Sequence, residues 1–212
     1  MPRPAGVTDA KKTEAILRAA NDTFCEQGFN VSLAEVARRA GVSKQTLYNR
    51  FGSKEGLLEE VVAARRLEIA SALARTDPDQ TLTSVLESYA QRVLRLYLDK
   101  AYTGIMTLLA STSHDNADLA QRYFASGPEA ALHTLAAFLF DEQASGQIEV
   151  PDPVQAAEFF LGMLKGQIHV RALLQAPQVC TEADLPARAR EAVARFLRAY
   201  APEREPEQAP RP

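Results

Sequence analysis

Between Lys44 and Lys54 the chain concentrates side chains suited to a nucleic-acid groove: Lys44, Gln45, Thr46, Tyr48, Asn49, Arg50 and Lys54. Gln and Asn amides donate and accept together, which matches an adenine edge, and Thr offers a hydroxyl and a methyl. Lys and Arg supply positive charge for guanine edges or phosphates. A Tyr hydroxyl at the rim suits a phosphate. The plain alternative is the polar, solvated face that most surface helices carry, so the elements that hold these residues must decide.

Ser32 is placed to cap a helix, with Glu35 three residues later completing a capping box. Val36, Ala37 and Ala40 then recur at helical spacing. Gly41 ends that helix, because a left-handed turn costs glycine nothing. Ser43 caps a second helix on which Leu47 and Phe51, four apart, share the inner face. At about 100° per residue, Gln45, Thr46 and Asn49 point most directly outward, flanked by Lys44 and Tyr48 on one side and Arg50 on the other. Cap, helix, glycine turn, cap and helix in that order predict a helix-turn-helix, whose second helix enters the DNA major groove.

A helix from about Asp9 to Gln27 precedes it, with Ile16, Ala20 and Phe24 on one face. Gly28 ends this helix and Phe29 folds back as the hydrophobic contact of its C-cap. Ser53 caps a long helix that starts at Lys54, with Leu57, Leu58, Val61 and Val62 inward. Lys54 and the free amides of that helix start form an anion site suited to a phosphate. The segment Ile16 to Leu58 resembles the N-terminal domain of the TetR family of bacterial transcriptional regulators. The residues that carry the resemblance are Gly28-Phe29, Val36-Ala37, Ala40-Gly41-Val42-Ser43, Thr46-Leu47-Tyr48, Phe51 and Ser53-Lys54-Glu55-Gly56-Leu57. The resemblance implies that the helix from Ser43 reads an operator and that Tyr48 and Lys54 hold phosphates. Val31 departs from the family pattern, which has Thr there, and supplies no hydroxyl for a phosphate. Ala34 is too short to reach a base, so readout is expected from Lys44, Gln45, Thr46, Asn49 and Arg50.

A chain of 212 residues, 46% hydrophobic and 24% charged, can bury a sizeable core. Its net charge of -3 divides unevenly: residues 1–56 hold nine Lys and Arg against six Asp and Glu, and the remainder fifteen against twenty-one. The positive excess therefore sits on the candidate DNA-binding part. It is small, so tight binding calls for two copies side by side. No apolar run reaches membrane-spanning length and Met1 to Thr8 contains no signal-like apolar core, so no membrane partner and a cytoplasmic location are expected. The two cysteines, Cys25 and Cys180, do not suggest a disulfide framework.

The rest reads as helix after helix, with no run alternating at period two. The helix from Ser53 extends to Ala74, and Asp77-Pro78-Asp79 breaks it. Amphipathic helices follow from about Thr83 to Asp99 and from Tyr102 to Ala110. A polar run from Ser111 to Asn116 precedes a short helix that reaches Phe124. Gly127-Pro128 opens the next, which ends near Gly146. Asp152 as N-cap and Pro153 at the first helical position start a helix to about Leu174. That helix is apolar nearly all round and must be buried. Its Gly162 and Gly166, four apart, would admit a close helix backbone. The last helix, from Asp184, shows Ala189, Val193, Phe196, Leu197 and Tyr200 as a stripe. The final two helices either pair with their copies in a second chain as a four-helix bundle or complete one chain's core. Paired half-sites favour the dimer.

The predicted architecture is thus all-α. It comprises a three-helix helix-turn-helix domain over residues 1–56, a larger helical effector-binding and dimerisation domain over 57–201, and a disordered tail over 202–212. Met106 to Leu174 also resembles the C-terminal half of one TetR subgroup, through Ser126-Gly127-Pro128-Glu129, Gly162-Met163-Leu164-Lys165-Gly166 and Arg171-Ala172-Leu173-Leu174. That likeness implies dimerisation and ligand sensing.

Candidate pocket residues are the polar and aromatic groups set in apolar helices: Tyr102, Met106, His114, Tyr123, Phe124, His133, Phe138, Met163, Gln167 and His169. For each aromatic among them, taken singly, core packing is the favoured reading. Gln167 and His169 are the more suggestive pair. His114 with Asp115 and Asp118 comes nearest to a metal cluster without forming a metal-ligand pattern, so no metal and no cofactor is expected. No phosphate loop or nucleophile elbow points to an enzyme. The reading is a dimeric repressor on an inverted-repeat operator, released when an unknown small molecule shifts the spacing of its two reading helices from the operator's half-sites, about 34 Å apart. The helix from Ser53 to Ala74 would carry the coupling. Two alternatives stand beside it: a DNA-binding dimer with no small-molecule effector, and an enzyme or carrier that does not bind DNA.

Overall fold

The computed structural model describes residues 5–28, 31–77, 79–112 and 117–202. Among the described residues there are ten α-helices and no strand. They are α1 (Ala5–Gln27), α2 (Leu33–Ala40), α3 (Lys44–Phe51), α4 (Lys54–Ala70), α5 (Leu82–Leu98), α6 (Lys100–Thr112), α7 (Ala117–Phe124), α8 (Ala130–Ala144), α9 (Pro153–Leu173) and α10 (Leu185–Ala199). Side-chain caps set several starts. Ser32, Ser43, Ser53 and Thr81 each accept a backbone N–H of the first turn, and the Asp152 carboxylate accepts two, from Val154 and Gln155. Pro153 follows Asp152 where a missing N–H costs nothing. α4 continues as one 3₁₀ turn, Ser71–Leu73, so the long linking helix runs about as far as expected. Phe29, Pro78, His114 and the tail beyond Pro202 lie outside the described residues.

Two cores form. The first gathers Ile16, Ala20 and Phe24 of α1, Val36 of α2, Leu47 of α3, and Leu57, Leu58 and Val61 of α4. Ile105 and Leu109 of α6 and Tyr123 of α7 join it, so the helix-turn-helix is roofed by the second half of the chain. The second core packs α5, α8, α9 and α10 around Leu86, Leu94, Leu135, Phe160 and Phe196, with the two phenylalanine rings edge to face at 4.9 Å.

Several local expectations change. Gly127-Pro128 does not open a helix. It lies in a π turn, Ala125–Glu129, that carries the chain without a break from α7 into α8. A wide turn spares the N–H that proline lacks. Gly127 meanwhile lies against α4, where an added Cβ would stand 2.8 Å from Val62 Cγ1. Gly166 does not support a close helix backbone; it breaks α9, at φ 40° and ψ -139°. A Cβ there would stand 2.8 Å from Arg188 Nη2, whereas Gly162 faces open space. The α10 stripe of Ala189, Val193 and Phe196 completes this chain's own second core. On α9 and α8 the outward apolar residues Phe159, Met163, Val170 and Phe140 stay exposed. No helix among the described residues is long and apolar enough to cross a membrane.

Candidate nucleic-acid interface and buried aromatic cluster

The α2–α3 corner is fixed locally. The Glu35 N–H donates to Ser32 Oγ at 3.3 Å, but the Glu35 carboxylate does not return to the cap. It takes Arg38 and Arg39 instead, at 2.6 and 3.0 Å, and hydrogen bonds from these guanidiniums pull its pKa down to about 2. Gly41 sits left-handed at φ 67°, which lets the Val42 N–H reach the Ala37 carbonyl at 3.0 Å. Ser43 then caps α3 by accepting the Thr46 N–H at 3.0 Å, and the two hydroxyls share a further 2.8 Å bond. Leu47 is buried beneath the corner while Lys44, Gln45, Thr46, Tyr48 and Asn49 are exposed and Arg50 half-exposed. The Lys44 ammonium lies 5.5 Å from the centre of the Tyr48 ring. Gln45 Nε2 donates to Asn49 Oδ1 at 2.7 Å.

Gly52 ends α3, and Ser53 caps α4 through the Gly56 N–H at 3.1 Å. Lys54 Nζ donates to the Val31 carbonyl at 3.4 Å, which ties the start of α4 to the entry of α2. The starts of three helices thereby converge: Ser32, Lys44, Tyr48, Ser53 and Lys54 line one surface recess. Glu55 lines the recess too, but the two lysines outnumber it, and with the serine hydroxyls they suit an oxyanion such as a backbone phosphate. Of the sequence-predicted set, Ser32, Lys44, Tyr48 and Lys54 meet in this recess, while Gln45, Thr46 and Asn49 lie on the exposed face of α3.

The pocket candidates divide. Tyr102 of α6 and His169 of α9 meet, ring centres 5.6 Å apart, and Tyr123 of α7 lies within electrostatic reach of Tyr102. Tyr97 of α5 completes the cluster at 5.4 Å from His169 and 6.1 Å from Tyr102. His133, Phe124, Met163 and Gln167 are exposed. Gln167 and His169 face different surroundings, one exposed and one buried, because side chains two apart on a helix point about 200° apart. Met106 packs on the first core and Phe138 on the second.

His169 is only 4% exposed, and its Nδ1 has no hydrogen-bond partner. Burial, then the Lys165 charge, lower its pKa to about 4, so the ring is neutral at pH 7. Burial likewise raises Tyr102 to about 12 and pushes Tyr97 and Tyr123 up. The Tyr97, Tyr102 and His169 rings thus form an uncharged polar group packed together among apolar helices. Beside it, Asp99 Oδ1 accepts the Ala101 and Tyr102 N–H groups at 2.7 and 3.1 Å and so caps α6. Its Oδ2 accepts Arg65 Nη2 of α4 at 2.6 Å. Neither Tyr97 nor the Arg65–Asp99 pair is in the sequence-predicted set. Tyr97 stands eight residues from Tyr89, on the same face of α5, which is a signal the sequence carries.

A capped helix-turn-helix is thus joined by a long helix to a larger helical domain. Residues 16–61 match the family described as bacterial regulatory proteins, tetR family, and residues 84–202 match the AefR-like transcriptional repressor C-terminal domain. The chain belongs to the TetR family. It is 33% identical over 119 residues to the regulatory protein RaaS of Mycobacterium tuberculosis, covering 54% of this chain and 56% of that protein. It is 34% identical over 119 residues to the repressor BdcR of Escherichia coli, covering 52% and 59%. The chain thus spans little over half the length of these curated relatives. Among solved structures, a TetR-family regulator from Mesorhizobium loti superimposes with a TM-score of 0.73 at 27% identity, covering 91% of this chain and 98% of that one. The flavonoid-responsive regulator FrrA gives 0.65 at 30% identity, covering 92% and 100%.

Proposed function

We propose that the protein is a homodimeric repressor that leaves its operator when a small, uncharged aromatic molecule enters the cluster around His169. The observation that carries this reading is the buried His169 Nδ1, unpartnered among tyrosine rings. A buried polar atom without a partner is costly unless something else satisfies it, and a neutral imidazole nitrogen suits a phenolic hydroxyl. Similarity to a regulator described as flavonoid-responsive supports the same ligand class. In this reading Gln45, Thr46, Asn49, Lys44 and Arg50 meet base edges, while Ser32, Ser43, Tyr48 and Lys54 hold phosphates. The exposed Phe140, Phe159, Met163 and Val170 form the contact with a second protomer.

Lys54→Ala is expected to weaken binding on every duplex alike and to lower the dependence of log affinity on log salt by about 1. Anisotropy titrations on operator and unrelated duplexes across a salt series read both effects.

Thermal melts with hydroxylated flavones and simple phenols test the effector. A phenol at a hundredfold excess over its Kd should stabilise the native state by about 2.7 kcal/mol, a shift of roughly 5–10 °C for a chain of this size. It should also loosen the operator complex. His169→Leu should abolish both effects and keep operator binding. The second reading, a dimer without effector, draws on the mutual contact of the Tyr97, Tyr102 and His169 rings, which fill the space between them. Tight operator binding with no stabilising phenol would favour it.

A further inference from the structure

We infer that Gln45 and Asn49 read DNA as one coupled unit, in which Asn49 is the positioning residue that orients the Gln45 amide for adenine. The inference rests on α3 being the reading helix. The outward arc of α3 is already partly committed. The Thr46 hydroxyl is tied to the Ser43 cap at 2.8 Å, leaving its methyl as the outward group. The Lys44 ammonium leans toward the Tyr48 ring at the recess. Of the side chains aimed most directly outward, the two amides remain, and they are joined: Gln45 Nε2 donates to Asn49 Oδ1 at 2.7 Å, one turn apart on the exposed face.

That bond has a chemical consequence. A free glutamine amide turns about its last torsion and presents either end to a base. Adenine needs both ends at once, an acceptor for N6–H and a donor for N7. Donation of one Nε2 hydrogen to Asn49 settles which end of the Gln45 amide is oxygen. It leaves Oε1 and the second N–H free, the pair that adenine requires. Asn49 keeps both of its Nδ2 hydrogens for acceptors on a neighbouring base, such as guanine N7 and O6 or thymine O4. The two residues thus specify adjacent positions, and the adenine preference depends on the residue one turn away.

Parallel selections on random duplex DNA with the full-length wild type, Gln45→Ala, Asn49→Ala and Asn49→Asp test the coupling. Gln45→Ala identifies the adenine position by losing it. Asn49→Ala is expected to lower the adenine preference at that same position by roughly tenfold, the discrimination of one bidentate contact. Asn49→Asp keeps the orienting oxygen but has no amide hydrogens. It should retain the adenine preference while losing information at the neighbouring base, whatever its overall affinity. Adenine preference unchanged in Asn49→Ala would overturn the coupling, as would a Gln45→Ala selection identical to wild type. A wild type that enriches no sequence would instead remove α3 as the reader, an outcome distinct from both.

Discussion

Gly56→Ala is expected to abolish operator binding and leave most of the helical structure intact. Gly56 is the third residue of α4, and its N–H is the donor to the Ser53 cap. An added Cβ would collide with the Phe51 carbonyl oxygen and stand 3.7 Å from Ser53 Oγ. The first of these is a backbone atom at the end of α3, which no rotamer change can move aside. The α3–α4 corner must open, at a cost of about 3 kcal/mol or more. The same corner sets α3 against the start of α4, and with it the recess shared by Tyr48, Ser53 and Lys54. Leu86, Phe160 and Phe196 sit in the other core and are untouched. Circular dichroism should show a lowered melting temperature with most helix retained at 25 °C, while anisotropy shows a hundredfold or greater loss of affinity, about 2.7 kcal/mol. A Gly56→Ala protein with wild-type affinity would mean that the corner does not position the interface.

Asp99→Asn is expected to remove one polar tie between the two halves of the protein, which still share the packing of α6 and α7, without disabling either. Asp99 has two engagements: one oxygen caps α6 at Ala101 and Tyr102, and the other holds Arg65 of α4. Burial pushes its carboxyl up, but the Arg65 guanidinium and the α6 amides outweigh burial and hold it below the usual range. Asparagine keeps an oxygen for the cap and turns a donor toward Arg65. α6 should therefore stay folded, with Tyr102 in place, while its tie to the helix that begins at Lys54 is lost. Coupling between effector and operator, typically 5–150-fold in allosteric proteins, should collapse toward 1. Operator affinities with and without a stabilising phenol measure it. Coupling is reciprocal, so an effector-free readout exists as well. Operator duplex should alter hydrogen exchange at the Ala101 and Tyr102 amides in the wild type and not in Asp99→Asn. Equal responses in both proteins would rule out the Arg65–Asp99 pair as the connection.

What the sequence shows best is what neighbouring residues decide. Ser32, Ser43, Ser53 and Asp152 cap the helices they were expected to cap, and Gly28, Gly41 and Gly146 take the left-handed turns that end others. The candidate DNA surface is legible for the same reason: its residues lie within one supersecondary unit, and helical geometry alone puts them on one side. The aromatic cluster is half legible. Tyr102, Tyr123 and His169 stand out as polar rings in apolar helices, but Tyr97 reads as one more residue of a stripe. Nothing local tells Met106 or Phe138 apart from them. The Arg65–Asp99 tie joins residues 34 apart in the chain and has no local signal. Gly127-Pro128 and Gly166 mislead because a wide turn can absorb the N–H that proline lacks, and because spacing along a helix does not reveal a glycine at positive φ. The α10 stripe shows the remaining limit, since periodicity identifies an apolar face without saying which chain covers it.

Selection of the purified wild type on random duplex DNA at near-physiological salt tests the central claim most directly. The account predicts enrichment of an inverted repeat, with half-sites about one helical turn apart or a multiple of that, occupied by two protomers per duplex. Salt-sensitive binding to bulk DNA with no enriched sequence would contradict a dimeric operator reader built on α3.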